Sequence, residues 1–120
     1  MIEVLISVKS SSNPDESYTV NFAREDGRLS VSCSCPAGMR GQLCKHKTGL
    51  IENDEALLFD AEEKSSLATA QNLVMGTSML DLYQDFKESR DAIEAQQKKL
   101  KKELHAIKSR FGRQLHEGIE

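Results

Sequence analysis

Every cysteine of this 120-residue chain lies within one short stretch, Cys33-Ser34-Cys35-Pro36 followed nine residues after Cys35 by Cys44-Lys45-His46. Three thiols and one imidazole form a complete soft-donor set for one tetrahedral Zn2+ ion. With three thiolates and a neutral imidazole the site would carry a net charge near −1, which Arg40, Lys45 and Lys47 are close enough in sequence to offset. All four positions would be filled by protein, so the expectation is a structural metal with no catalytic water. The competing reading is three unrelated buried or redox-active cysteines and an incidental histidine. A thioredoxin-like pair needs C-x-x-C, which is absent. Three cysteines cannot all pair within one chain, and Cys33 and Cys35 are too close for an unstrained disulfide, so a reducing compartment is expected.

The elements that must position these donors can be read from hydrophobic alternation. Ile2, Val4, Ile6 and Val8 recur at period two, which predicts a strand over residues 1–9 with one buried face. Ser10 to Glu16 supply breaker residues, and the serines there read as a plain loop. Tyr18, Val20 and Phe22 alternate again, and after Asp26-Gly27 so do Leu29, Val31 and Cys33, which predicts a hairpin. The second strand of that hairpin should carry Cys33 and Cys35 on one face. Pro36 to Leu43 read as a loop whose two glycines fold the chain back. Cys44 and His46 then fall in the first turn of a short helix, weakened by Thr48 and Gly49.

The second half is helical in pattern. Asp60 and Glu63 mark a start, with Leu67, Ala70, Leu73 and Val74 at helical spacing over about Ala61 to Met75. Ser78 and Asp81 open a further helix. In it Met79, Phe86, Ile93, Leu100 and Ile107 recur every seven residues as d positions. The a positions are Tyr83, Arg90, Gln97, Leu104 and Phe111, apolar except for Arg90 and Gln97 in the middle of the seam. His105 and His116 read as solvated side chains on this helix.

Charge divides the chain in the same way. Residues 1–97 hold nine Lys or Arg against sixteen Asp or Glu, whereas residues 98–120 hold seven against three. The seven are Lys98, Lys99, Lys101, Lys102, Lys108, Arg110 and Arg113. Two readings stand for them. One is a solvated coiled-coil surface facing the acidic stretch Asp81 to Glu94 of a partner. The other is a weakly specific, salt-dependent contact to nucleic-acid phosphates, made together with Arg40, Lys45 and Lys47 of the Cys/His segment, which are equally candidates for partner contacts. With six aromatic residues, no tryptophan and 29% charged residues, the core should be thin. No charged start followed by an apolar run opens the sequence, and nowhere do eighteen apolar residues follow one another. A soluble, cytoplasmic protein is expected, nuclear in a eukaryote, with no membrane partner and no small-molecule substrate.

The pattern C-x-C-x8-C-x-H resembles the SWIM-type zinc finger. Ser32-Cys33-Ser34-Cys35-Pro36 is similar to that family's Cys-x-Cys-Pro corner, and Gly41-Gln42-Leu43-Cys44-Lys45-His46 to its Gly-x-x-Cys-Lys-His. Tyr18-Thr19-Val20 and Gly27-Arg28-Leu29-Ser30 resemble its two strands. The likeness covers roughly Tyr18 to Ile51. It departs at Lys47-Thr48-Gly49, where the family usually continues into an aliphatic helix. The resemblance implies a small stand-alone form of the family, non-enzymatic, that binds protein or DNA. The expected fold is α+β: a ββα-type finger with an extra N-terminal strand over 1–56, a linker helix over 57–77, and a coiled-coil-like arm over 78–117. That arm would form a homodimer or bind a protein partner. The alternative is a nucleic-acid-binding accessory protein of recombination, transposition or transcription.

Overall fold

The computed structural model describes residues 1–120, which form two compact units, Met1–Leu80 and Asp81–Glu120. The class is α+β, as expected from the sequence. Three antiparallel strands, β1 (Ile2–Lys9), β2 (Ser17–Glu25) and β3 (Arg28–Cys33), pair in the order β1-β2-β3. Helices α1 (Pro36–Met39) and α2 (Lys45–Ile51) follow, then two single 3-10 turns, Glu55–Leu57 and Ala61–Glu63. Two further helices, α3 (Lys64–Val74) and α4 (Met79–Glu117), complete the chain.

The β2–β3 hairpin closes through a two-residue turn in which Asp26 and Gly27 both have positive φ, 52° and 77°. That is the primed turn whose twist matches the strands it joins. The register it sets, from Glu25↔Arg28 to Val20↔Cys33, delivers Cys33 opposite a core valine. On β1 and β2 the even-numbered residues face inward, so that Ile6, Val8, Val20 and Phe22 are fully buried. Ile2 and Val4 share that face but lie towards the open end of the sheet, Ile2 exposed and Val4 half-buried.

The sheet is covered by α3, whose Leu67, Ala70, Leu73 and Val74 are all buried. Leu50 and Ile51 of α2 and Leu58 complete the core. The helix predicted from Ala61 begins in regular form only at Lys64, because the preceding turn is held to other groups. Asp60 accepts from the Glu62 N–H, and the Glu63 carboxylate accepts from the Ser7 N–H at 2.8 Å. With Phe59 N–H donating to the Ser7 carbonyl and Leu58 bridging Val8, this segment shields the outer edge of β1. At the other end of α3, the Arg24 guanidinium donates to the Leu73 and Met75 carbonyls, which the helix terminus leaves without partners.

Lys47-Thr48-Gly49 does not prevent α2 from forming. A Cβ at Gly49 would collide with Leu57 Cδ1, so the glycine sits where the 55–57 turn packs against the helix. In the unit Asp81–Glu120 the chain is helical to Glu117, and no residue of α4 is buried. No helix is long and apolar enough to cross a membrane.

Leu67 ties α3 to the sheet. Replacing it with alanine should lower the unfolding free energy by about 2–5 kcal/mol in urea melts. Leu5→Ala, on the open face of the sheet, should change it by no more than about 0.5 kcal/mol. Equal effects at the two sites would contradict this placement of the core.

Candidate metal centre

The four donors come from three pieces of backbone. Cys33 is the last residue of β3, Cys35 precedes α1, Cys44 precedes α2, and His46 is the second residue of α2. Their ligand atoms lie within 4.8 Å of one another, with Cys33 Sγ 3.8 Å from His46 Nδ1. A tetrahedral ion with metal–sulfur bonds of roughly 2.3 Å has its donors about 3.8 Å apart. The cluster therefore fits one metal ion after small side-chain adjustments. Cys33, Cys35 and His46 are buried and Cys44 is half-buried.

The local geometry differs from the expected pair of cysteines on one strand face. β3 ends at Cys33, and the Ser34 N–H donates to Thr19 O while Ser34 Oγ accepts from the Thr19 N–H. Cys35 has already left the sheet and caps α1, with Pro36 in the first helical turn, where its missing N–H costs nothing. The segment read as a loop thus contains a short helix. Its Gly38 is required for a reason the spacing did not reveal: a Cβ there would run into the Cys33 carbonyl. Gly41, with φ of 70°, lets the chain turn back towards Cys44.

Cys35 and Cys44 play matching parts. Each is an N-cap whose sulfur accepts a backbone N–H three residues on, from Gly38 at 3.3 Å and from Lys47 at 3.5 Å. These amides offset thiolate charge at the two sulfurs. The Lys47 ammonium instead donates to the Gln42 carbonyl at 3.0 Å and closes the loop between α1 and α2. Arg40 and Lys45 are exposed.

His46 is oriented from behind. Its Nε2 lies 3.1 Å from the Lys9 carbonyl at the end of β1, so Nε2–H donates there and Nδ1 presents its lone pair to the sulfurs. The Tyr18 ring packs against the imidazole at 5.6 Å. Neither Lys9 nor Tyr18 could be singled out from sequence, since both contacts depend on how the strands pair.

Burial pushes the Cys33 thiol up to about 12, with the neighbouring Cys44 and Cys35 adding to the effect. Burial also opposes ionisation of Cys35. There the Gly38 N–H donates to its sulfur and, with the surrounding His46, Cys33 and Cys44 side chains, holds it down to about 6. One sulfur is thus ready to meet a cation at neutral pH while its neighbour must still lose a proton.

The seven basic residues expected as phosphate or partner contacts, Lys98, Lys99, Lys101, Lys102, Lys108, Arg110 and Arg113, are all exposed on α4. Around the heptad they occupy every position except a and d, so they encircle the apolar seam rather than form one stripe. No family model, no curated protein and no solved structure matches this chain.

Metal entry at any pH below about 12 displaces the Cys33 proton, so affinity should rise with pH by at least about tenfold per unit. Below about 6 the Cys35 proton must leave as well, and the dependence steepens. Titration of metal-free protein with Co2+, read by thiolate-to-metal absorption at pH 7 and 8, should show this loss on acidification. A flat response would contradict thiol ligation.

Proposed function

We propose that this chain is a SWIM-type interaction module in which one structural Zn2+, held by Cys33, Cys35, Cys44 and His46, fixes a non-enzymatic binding platform. The observation that carries the reading is the convergence of three sulfurs and one Nδ1 within 4.8 Å, with three of the four residues buried. Three thiolates and an imidazole suit a borderline-soft tetrahedral ion and disfavour Mg2+ or Ca2+, which take oxygen donors. Four protein donors complete such a shell, so the metal would serve the fold and leave no position for an activated water.

The SWIM assignment is supported by the C-x-C-P corner, the G-x-x-C-K-H segment and the hairpin that leads into them. The platform would be the surface around α1 and α2, where Arg40, Lys45 and the exposed Leu43 and Met39 lie. The helix α4 would be the arm that engages a partner, by its exposed apolar residues in a coiled coil. A second reading, binding of nucleic-acid phosphates by the finger and α4, draws on the seven exposed cations of that helix.

Protein purified under reducing conditions should contain one zinc per chain by elemental analysis. Alanine at Cys33, Cys35, Cys44 or His46 should each lower zinc affinity by more than about 100-fold, beyond the loss typical of groups behind the ligands. Retained stoichiometric zinc and an unchanged melting curve in the Cys44→Ala or His46→Ala protein would overturn the assignment.

A further inference from the structure

Helix α4 carries an apolar seam that is exposed over most of its length. Ile93, Leu100, Leu104, Ile107 and Phe111 are 55%, 62%, 51%, 54% and 55% exposed, and the helix buries none of its 39 residues. A contiguous exposed row of this kind marks an interface. Two features of the same helix say what covers it.

The first is charge. Residues 79–97 carry five acids and two bases, and residues 98–117 carry seven bases and two acids. A second copy lying antiparallel sets the acidic half of each helix against the basic half of the other. A parallel copy sets like against like, and it also stacks Arg90 on the partner's Arg90 within the seam.

The second is the order of side chains along the seam. Laid antiparallel, Met79, Tyr83 and Phe86 meet the partner's Phe111, Ile107 and Leu104, so six apolar layers flank a short polar centre. In that centre Ile93 meets the partner's Gln97, and Arg90 meets the partner's Leu100. Arg90 is already turned along its own helix, its guanidinium 5.6 Å from the Phe86 ring and bonded to Asp91 at 3.2 Å. Its alkyl stem can therefore cover Leu100 while the charge stays at the rim. On one flank of this pairing Glu94 approaches the partner's Lys101 and Lys98. The same flank brings Lys87 near the partner's Lys108 and the two Glu94 side chains towards each other, like-charge contacts set against the attraction of the opposed halves.

We infer that the occupant of the α4 seam is a second copy of this chain, bound antiparallel through residues 79–111. The inference rests on the reading of α4 as the interaction arm and names its partner.

Sedimentation equilibrium of the zinc-loaded chain at about 5–100 μM should give a species of twice the 13.4 kDa chain mass. Ile107→Asp should weaken association at least tenfold while zinc remains at one per chain, so a failure of the finger is read separately from a failure of the dimer. Zero-length carbodiimide crosslinking of a mixed unlabelled and 15N-labelled sample should join Glu94 of one chain to Lys101 of the other. An interchain Glu103–Lys108 link would indicate a parallel pair and overturn the proposal. So would a dimer that survives Ile107→Asp, or a monomer at every concentration, whether or not that monomer binds duplex DNA at low salt.

Discussion

Four atoms able to ligate a metal converge from three separate pieces of backbone to within 4.8 Å of one another, and much of the first unit's local geometry serves that convergence. β3 has to end at Cys33, the chain must turn sharply enough to place Cys35 above it, and α2 must start beside both. Each condition is met by a specific residue: Gly27 for the hairpin, Pro36 and Gly38 for the tight first helix, Gly41 for the return. The Lys9 carbonyl then sets the angle of the imidazole, which links the centre to the far end of β1. Sheet and site are therefore one object. The strand pairing that buries Val20 and Phe22 is the same pairing that brings Lys9 and Tyr18 to His46.

The core beside the centre is small. Apart from the cysteines it rests on eleven buried hydrophobic residues from β1, β2, α2, α3 and Leu58, with one aromatic ring among them. Domains of this size gain a limited amount from burial, and a bound metal adds folding free energy directly because the unfolded chain holds no such site. Without a cation, three sulfurs crowd together with thiol equilibria pulled in opposite directions, from about 6 at Cys35 to about 12 at Cys33. A bound divalent ion would resolve that conflict by favouring the thiolate form of all three. In α4 the same shortage of buried surface takes another form, since a helix that buries none of its residues has no packing to add to its intrinsic propensity.

The Cys/His cluster was legible because it depends on residue type and spacing alone, and the hairpin because Asp26-Gly27 and the alternation on either side are local signals. The sheet–helix class followed from the same periodicities. What escaped was whatever depends on distant approach. Cys35 looked like a strand residue, since period-two reasoning has no means of seeing that Pro36 would begin a helix at once. Gly49 looked like a helix breaker, while its role is to admit Leu57. The start of α3 was displaced because Glu63, a good capping residue by pattern, is engaged by the Ser7 N–H across 56 residues. Lys9 entered through its carbonyl, which no side-chain motif can report.

X-ray absorption at the zinc edge on the purified full chain measures both the identity and the completeness of the proposed metal shell. Three sulfurs at roughly 2.3 Å and one nitrogen at roughly 2.0 Å, with no oxygen, is the result expected for a closed structural site. A shell containing an oxygen from water, or fewer than three sulfurs, would contradict it.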